Sequence, residues 1–377
     1  MRVLVVGGGI AGVSVAAALA PHAAVTLVET EGSLAYHTTG RSAALYFENY
    51  GTPATRPLSR ASLGYLRDPP PVLVDAPLLA PRGALTVAAA DGLDRLEATY
   101  VEGTALGTTV ERLTAEEAVS LCPALRPGSV AAALWEPEAA DIDVAGLHQS
   151  IVRAGRGGGV EILTGTELAG AQRDGSGWTA RMGDTVWRGD VIVNAAGAWG
   201  DVVAGRCGVE PVGLIPMRRT AFMVPGEPAW AAWPMVVEVG HRWYFKPDGT
   251  QLLCSPAEEN ACEPCDPRPA EIDVALAIDR INQATTLAIR TVRSSWTGLR
   301  TFAADRTMVI GPDADCPDFV WLVGQGGTGI QTAPAAGRLA AALALDRPIP
   351  GDLVDAGIDV AALSPSRFAG NRRDATA

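Results

Sequence analysis

Residues 1–31, MRVLVVGGGIAGVSVAAALAPHAAVTLVETE, decide the fold of this chain. Arg2–Val6 is a short apolar run rich in β-branched residues, which predicts a strand buried on both faces. A helix of small residues is predicted over Ile10–Leu19, and a second apolar strand, Val25–Val28, ends at Glu29. This order predicts a strand–helix–strand unit of a parallel sheet.

Three glycines separate the first strand from the helix in the pattern G-x-G-x-x-G: Gly7, Gly9 and Gly12. The first suits a tight turn, the second lets a pyrophosphate approach the backbone, and the third allows helix and strand to pack closely. The helix N-terminus offers free N–H groups to phosphates, and Glu29 is placed to accept hydrogen bonds from a ribose. A dinucleotide site is therefore predicted, against the alternative of a glycine-rich turn without a ligand.

The totals favour a globular protein of two domains, with 377 residues of which 48% are hydrophobic. Val3–Ala20 is apolar enough to suggest a signal peptide or membrane span, but its four glycines and its continuation into a second strand favour a soluble opening, with no integral membrane segment. The formal net charge of −12 disfavours nucleic acid and anionic membranes as partners.

The six cysteines show no regular framework, which indicates a reducing, cytoplasmic setting. Cys262 and Cys265 form a C-x-x-C in a polar loop. Without a second pair or a nearby histidine, they do not predict a zinc site, and no metal is expected.

The rest of the chain alternates between two kinds of pattern. Gly40–Ser42 predicts a turn whose serine caps a helix over Ala43–Tyr50. Strands alternating with helices are typical of the first domain, and a run of strands from Val212 to Pro256 indicates an antiparallel sheet. A last helix is predicted over Ala333–Leu345, and Pro348 begins a tail.

We therefore predict an α/β protein in which a Rossmann-like dinucleotide domain is interrupted by a substrate-binding antiparallel sheet domain. The first domain takes residues 1–80, 140–211 and 301–365. The second takes residues 81–139 and 212–300, and residues 366–377 are expected to form a flexible tail.

Several motifs occur in a characteristic order after the opening unit: AYHTTGRSAALYFENYG, VNAAGAWGD, PMRRTAF, RWYFKPDG, WTGLRTF and GQGGTGIQT. Together they resemble the FAD-dependent amino-acid oxidoreductases that include D-amino-acid oxidase, glycine oxidase and sarcosine oxidase. The likeness is greatest to bacterial D-arginine dehydrogenases. It covers almost the whole chain and implies noncovalent FAD and oxidation of a D-amino acid to an imine, which hydrolyses to a 2-oxo acid.

The resemblance also implies roles for individual residues. Arg219 and Arg300 would bind the substrate carboxylate with help from the Tyr244 hydroxyl, Tyr50 would close the site, and the Gly327 carbonyl would accept from the substrate amine. Arginine suits this task because its planar fork binds a carboxylate with two hydrogen bonds. The residues expected to bind the cofactor are Gly7, Gly9, Ile10, Ala11, Gly12, Glu29, Thr38, Arg41, Ser42, Ala43, Ala196, Gly197, Gly326, Thr328, Gly329, Ile330 and Gln331.

Departures from the family bear on the substrate. Leu45, Phe47 and Ala84 replace a histidine, a threonine and a glutamate of D-arginine dehydrogenase. They predict an apolar pocket without a partner for a cationic side chain. Glu48 is a polar residue in the same stretch. Its carboxylate would provide a partner for a cationic substrate side chain if it faced the substrate.

Two further departures bear on the flavin. Met308–Gly311 contains no cysteine for a covalent flavin link, and the only lysine, Lys246, lies outside the motif of the lysine that activates oxygen in sarcosine oxidases.

The leading interpretation is an FAD-dependent dehydrogenase of neutral or hydrophobic D-amino acids, with an unidentified electron acceptor. Two alternatives remain open at this point: oxidation of a secondary amine such as an N-alkyl or imino acid, and a catalytically silent FAD-binding subunit. The retained Arg219, Tyr244 and Arg300 count against the silent subunit.

Overall fold

The opening unit forms as predicted in the computed structural model, which describes residues 1–175 and 177–368. Strand Arg2–Val6, helix Ile10–Leu19 and strand Ala24–Val28 follow one another. The two strands pair in parallel, and four of the five residues in each are buried. Helices cover one face of the strands and a small sheet covers the other, so both faces select apolar residues.

These two strands lie in a six-stranded sheet that assembles distant parts of the chain. All neighbours pair in parallel except at one edge, where Val309–Pro312 runs antiparallel to Phe319–Val323. The strands in spatial order are Val309–Pro312, Phe319–Val323, Val191–Asn194, Arg2–Val6, Ala24–Val28 and Glu161–Leu163.

A nine-stranded sheet forms the second layer. All its pairings are antiparallel except the one between Ala84–Ala88 and Met235–Glu238. Ser294–Phe302 pairs with the long strand Ile215–Pro225. The other strands follow in the spatial order Asn260–Ala261, Ile215–Pro225, Gln251–Ser255, Tyr244–Asp248, Met235–Glu238, Ala84–Ala88, Ala132–Glu136 and Glu111–Thr114.

Two small sheets complete the framework. Leu168–Asp174, Gly177–Met182 and Thr185–Gly189 form an antiparallel meander, whose second hairpin turns at Gly183-Asp184. Leu45–Tyr46, Ala140–Ile142 and Leu79–Pro81 form the other sheet.

The helices pack mainly against the six-stranded sheet and against one another. Gly337 lies so close to the Ile10–Leu19 helix that a Cβ there would be 2.6 Å from the Ser14 carbonyl carbon. None of the helices in the described ranges is long and apolar enough to cross a membrane. The helices are Ile10–Leu19, Arg56–Arg67, Leu93–Ala105, Ala115–Leu121, Val144–Gly157, Gly200–Arg206, Glu271–Ala284, Gly329–Ala344, Gly351–Asp355 and Val360–Leu363.

A buried ion network joins the nine-stranded sheet to the small sheet that contains Ala140–Ile142. The Lys246 ammonium lies 2.5 Å from Asp141 Oδ1, and Arg82 Nε donates to Asp141 Oδ2 at 2.7 Å. Only 10% of the Lys246 side chain is exposed.

Two predictions of secondary structure are wrong. Ala43–Tyr50 is not a helix, because Leu45–Tyr46 pairs as a strand with Ala140–Asp141 and a turn follows it. The Ser42 hydroxyl accepts a hydrogen bond from the Ala44 N–H and therefore caps no helix.

The chain after Pro348 is not a simple tail either. It contains the helices Gly351–Asp355 and Val360–Leu363, and Leu353 and Leu363 enter the core. Most of the tail predicted over residues 366–377 lies outside the described residues.

Candidate active site

The three glycines of the first turn allow close approach of the backbone, as the motif predicts. Gly7 has a φ of +109°, and a Cβ there would lie 2.5 Å from the Ala195 carbonyl oxygen. A Cβ on Gly12 would collide with the Gly7 carbonyl. At Gly9 the nearest atom to such a Cβ is Thr39 Oγ1 at 3.2 Å. The backbone of the turn therefore packs tightly at Gly7 and Gly12 and is less crowded at Gly9.

Glu29 is fixed at the end of its strand by two backbone groups. Its Oε2 accepts from Gly8 N–H at 2.6 Å and its Oε1 accepts from Glu31 N–H at 2.9 Å. The carboxylate thereby lies beside the glycine turn, where the sequence predicts a ribose contact.

A long cleft runs from this turn to the nine-stranded sheet, and we call it the cofactor cleft. Of the residues predicted to bind the cofactor, Gly12, Thr328 and Gln331 do not line it. The predicted residues that do line it are Gly7, Gly9, Ile10, Ala11, Glu29, Thr38, Arg41, Ser42, Ala43, Ala196, Gly197, Gly326, Gly329 and Ile330.

The end of the cofactor cleft at the nine-stranded sheet contains Arg219, Tyr244, Arg300 and Gly327, all predicted from the resemblance. Arg219 lies opposite Gly298, and Arg300 lies opposite Met217 on the paired strand. The two arginines are therefore diagonal neighbours on one face of the sheet. We call them the arginine pair.

Arg218 points to the opposite face, as strand alternation predicts. Its Nη2 donates to the Arg268 carbonyl at 2.9 Å and lies 3.9 Å from Asp273.

Arg219 is partly neutralised by the protein. It lies 3.0 Å from Glu259, whose same oxygen also binds Arg306 at 2.8 Å, and its Nε donates to the Glu258 carbonyl. Burial lowers the pKa of the Arg219 guanidinium, and the nearby Arg300 lowers it further. Arg219 and Arg300 are close to each other, and Glu259 is divided between Arg219 and Arg306, so the positive charge of this group favours the entry of an anion.

Arg300 has no carboxylate partner among the described residues within 4.0 Å. Its Nη1 donates to the Tyr50 hydroxyl at 2.9 Å. That hydroxyl in turn lies over Gly327, where any Cβ would collide with it. Tyr50 thus contacts both residues although it is not among the residues that line the cofactor cleft.

Phe47 lies next to this group because its ring stacks on Tyr50, with ring centres 6.0 Å apart and planes 4° apart. Gln331 fixes the Phe47 backbone. Its Oε1 accepts from Phe47 N–H at 3.0 Å, while its Nε2 donates to the Phe47 carbonyl at 3.3 Å and to Ser59 Oγ at 2.8 Å. Gln331 therefore positions the segment that carries Phe47 and Tyr50.

The remaining predicted substrate residues lie outside the cofactor cleft. The Glu48 carboxylate binds Arg60 at 2.6 Å. Leu45 pairs with Asp141 in the small sheet. Ala84 is buried between Met235 and Glu136 on neighbouring strands.

Glu136 is a residue that sequence reasoning missed. It lies directly opposite Ala84, so its side chain is on the same sheet face as the residue that lacks a carboxylate. Burial raises the pKa of Glu136 to about 8, against weaker opposing contacts from Asn49 and Arg56. The only signal in the sequence was an acid at the end of an apolar strand.

The cofactor cleft also contains residues for which the sequence predicted no role. His37 and Trp199 lie with ring centres 4.6 Å apart, and Tyr36 lies beneath the Arg41 guanidinium. Residues 166–168 line the same part of the cleft. These residues come from three separate parts of the chain, and the folded sheet brings them together in the cleft.

Comparison with known proteins identifies the scaffold. The model of the DAO family, described as FAD dependent oxidoreductase, matches residues 2–343. A bovine (Bos taurus) relative, "FAD-dependent oxidoreductase domain-containing protein 1", is 30% identical over 178 residues, which cover 41% of this chain and 36% of the relative. The match thus spans about a third of that relative's length.

Solved structures extend the likeness to the whole fold. L-proline dehydrogenase from P. horikoshii is similar with a TM-score of 0.84 and 18% identity, covering 98% of each chain. Glycine oxidase from Geobacillus kaustophilus has a TM-score of 0.78 and 22% identity, covering 92% of this chain and 95% of that one. The predicted fold is confirmed: a Rossmann-like FAD-binding domain with an antiparallel sheet domain of the glycine oxidase type.

The residues of the cofactor cleft fit FAD. Gly7 and Gly9 line the cleft at the N-terminus of the Ile10–Leu19 helix, where a pyrophosphate would approach, and Glu29 lies beside this turn, where a ribose would bind. The opposite end of the cleft reaches the arginine pair, so one continuous space joins the glycine turn to these two cations.

Proposed function

We propose a function for this chain from one premise: it belongs to the DAO family of FAD-dependent oxidoreductases. In this proposal it oxidises the amine of a neutral or hydrophobic D-amino acid to an imine, which hydrolyses to the 2-oxo acid. The electron acceptor is a compound other than oxygen, as the missing flavin-side lysine suggests. The D configuration rests on the likeness to bacterial D-arginine dehydrogenases.

The observation that carries the proposal is Arg300. It is a cation in the cofactor cleft without a carboxylate partner in the described part of the chain, and its Nη1 donates to the Tyr50 hydroxyl. A guanidinium in this state favours a ligand carboxylate, which it binds with two parallel hydrogen bonds.

Bound FAD supplies the acceptor for the hydride of the substrate Cα. The protein residues orient the substrate for that step. In this proposal Arg300 and Arg219 bind the carboxylate, Tyr244 adds its hydroxyl, and the Gly327 carbonyl accepts from the amine. Tyr50 and Phe47 lie over the same end of the cleft and exclude water from it.

An uncharged substrate side chain is supported by the acids near the site. Glu48 is already paired with Arg60. Burial raises the pKa of Glu136, beside Ala84, to about 8, which favours its protonated form at neutral pH. Neither offers a carboxylate to a guanidinium or ammonium, and an unpaired buried cation is costly.

A secondary amine remains the second candidate substrate, since one similar structure is an L-proline dehydrogenase.

A noncovalent cofactor is supported by the absence of cysteine in Met308–Gly311. Release of FAD on filtration after acid treatment tests this prediction.

Anaerobic mixing with an amino-acid panel tests the proposal. The panel contains D-Leu, D-Met, D-Phe, D-Arg, their L forms, and an N-methyl and a cyclic amino acid. We expect D-Leu, D-Met or D-Phe to bleach the flavin absorbance, with kcat/KM about a hundredfold or more above that for D-Arg.

Four other results of the amino-acid panel would contradict the proposal. Bleaching by the N-methyl or cyclic compound alone would move the protein to secondary amines, and bleaching by L forms alone would reverse the proposed stereochemistry. A preference for D-Arg that disappears in Glu136→Gln but not in Glu48→Gln would contradict the uncharged side chain. No bleaching by any compound would support a silent subunit.

A further inference from the structure

The C-x-x-C of the polar loop lies beside the cofactor cleft, although the proposed reaction does not use it. The preceding strand Asn260–Ala261 pairs with Met217 and Arg218, and the Cys262 N–H donates to the Pro216 carbonyl at 3.0 Å. Cys262 is thus anchored to the sheet edge and partly buried. Cys265, three residues on, is exposed.

The residue after the motif contacts the cleft directly. Asp266 lies 2.6 Å from the Arg41 guanidinium and accepts from the Tyr36 hydroxyl at 3.4 Å. Arg41 and Tyr36 both line the cofactor cleft, and Arg41 also donates to the Thr297 carbonyl. We call these two residues the Arg41–Tyr36 wall.

The two thiols are close to each other. Burial raises the pKa of Cys262, and the adjacent Cys265 thiol raises it further through charge repulsion and a hydrogen bond. Within residues 1–175 and 177–368, no group of three His, Cys, Asp or Glu residues is arranged to bind a metal ion. The spacing and the exposed second thiol are those of a dithiol that exchanges with disulfides.

We propose that Cys262 and Cys265 form a reversible dithiol–disulfide site that controls, through Asp266, how firmly the Arg41–Tyr36 wall retains bound FAD. The oxidant is a low-molecular-weight disulfide. The Cys265 thiolate attacks it and releases one thiol, and the Cys262 thiolate then attacks the mixed disulfide and releases the second. The protein loses two electrons and two protons, which appear in the two small thiols.

The structural consequence follows from the length of the new bond. To form a disulfide, the two sulfur atoms must approach to about 2.05 Å. Because Cys262 is tied to Pro216, the movement falls on the turn that carries Cys265 and Asp266. Asp266 then withdraws from Arg41, and the wall loses its charge-assisted contact.

The test uses the FAD-loaded protein incubated with oxidised glutathione or with dithiothreitol. Peptide mapping by mass spectrometry should find a Cys262–Cys265 link only after oxidation. Filtration should then show FAD dissociating about tenfold faster than from the reduced protein, as expected for loss of a charge-assisted contact, and dithiothreitol should restore slow release.

Variants separate this mechanism from general oxidation. Cys262→Ser and Cys265→Ser should release FAD slowly under both conditions, whereas Cys316→Ser, at a half-buried cysteine elsewhere, should keep the redox response. Asp266→Asn should release FAD rapidly even when reduced. The proposal is wrong if oxidation gives only glutathione adducts, if the link forms without faster release, or if Asp266→Asn retains FAD like the native protein.

Discussion

The two members of the arginine pair show how partners decide the role of a residue. Both lie on one face of the nine-stranded sheet, and both were indicated by the same resemblance. Arg219 shares a carboxylate with Arg306, whereas Arg300 donates to the Tyr50 hydroxyl and has no carboxylate within 4.0 Å among the described residues. The free charge of Arg300 makes it the stronger candidate for the substrate carboxylate.

We expect Arg300→Ala to lower kcat/KM on the order of a hundredfold or more, because it removes one partner of a buried charge-assisted pair. Arg219→Ala should cost less, since Glu259 already offsets part of its charge. Steady-state kinetics with the best substrate of the panel measure both. Arg218→Ala, on the opposite sheet face, is the matched control and should remain near native. Native kinetics in Arg300→Ala would remove this residue from substrate binding.

At the residue scale, a motif was enough to locate a residue in the cleft, whereas a residue defined by a tertiary contact was missed. Glycines of the first turn and the arginine pair could be predicted because their neighbours in the chain define them. Glu136 could not, since its importance arises from facing Ala84 across two strands that are 52 positions apart in the chain.

At the element scale, the segment 45–50 shows how tertiary contacts override local preference. Its sequence predicts a helix, but strand pairing with Ala140–Asp141 satisfies the backbone of Leu45–Tyr46 instead. The Gln331 amide then binds both backbone groups of Phe47. A distant helix therefore determines where Phe47 and Tyr50 lie, which no local pattern reveals.

We expect Gln331→Met to loosen this segment, because it leaves the Phe47 N–H and carbonyl without their buried partner. The free energy of unfolding should fall by about 1–3 kcal/mol, and KM should rise more than kcat falls because Tyr50 loses its position over Arg300. Denaturant unfolding and steady-state kinetics provide the two readouts.

Ser62→Ala is the control for Gln331→Met. Ser62 Oγ accepts a hydrogen bond from Ala335 N–H between the same two helices without contacting segment 45–50. An equal rise of KM in both variants would assign the effect to helix packing.

At the scale of the whole molecule, the layered fold was predictable because each domain repeats its own pattern. Alternating strands and helices assembled one sheet from three stretches of chain, as expected. The meander at residues 168–189 packs on the far face of the six-stranded sheet. This docking was not predictable, because its apolar residues match that face only in three dimensions.

The free energy of unfolding should depend on pH through the ionisation of Glu136. Its pKa is raised to about 8 in the folded protein by burial, so the folded state keeps a proton that the unfolded state releases near the ordinary value. The contribution of Glu136 to the free energy of unfolding is therefore fully present at low pH. It falls as the pH rises towards 8, by about 1.4 kcal/mol per pH unit at most.

We expect Glu136→Gln to flatten the dependence of Tm on pH between 5.5 and 8. Calorimetry of the FAD-loaded proteins measures Tm at each pH. Glu138→Gln, at an exposed position, is the control. A native slope in Glu136→Gln would show that Glu136 is already ionised in the fold.

The ion network of Lys246, Asp141 and Arg82 has a practical consequence. Lys246 is the only lysine of the chain and is nearly inaccessible, so the other side-chain cations are guanidiniums, apart from any protonated histidine. Reagents that acylate side-chain amines therefore have one target, and its ion pair with Asp141 protects it. The rate of acylation at Lys246 should report how often this ion pair opens, without any engineered probe.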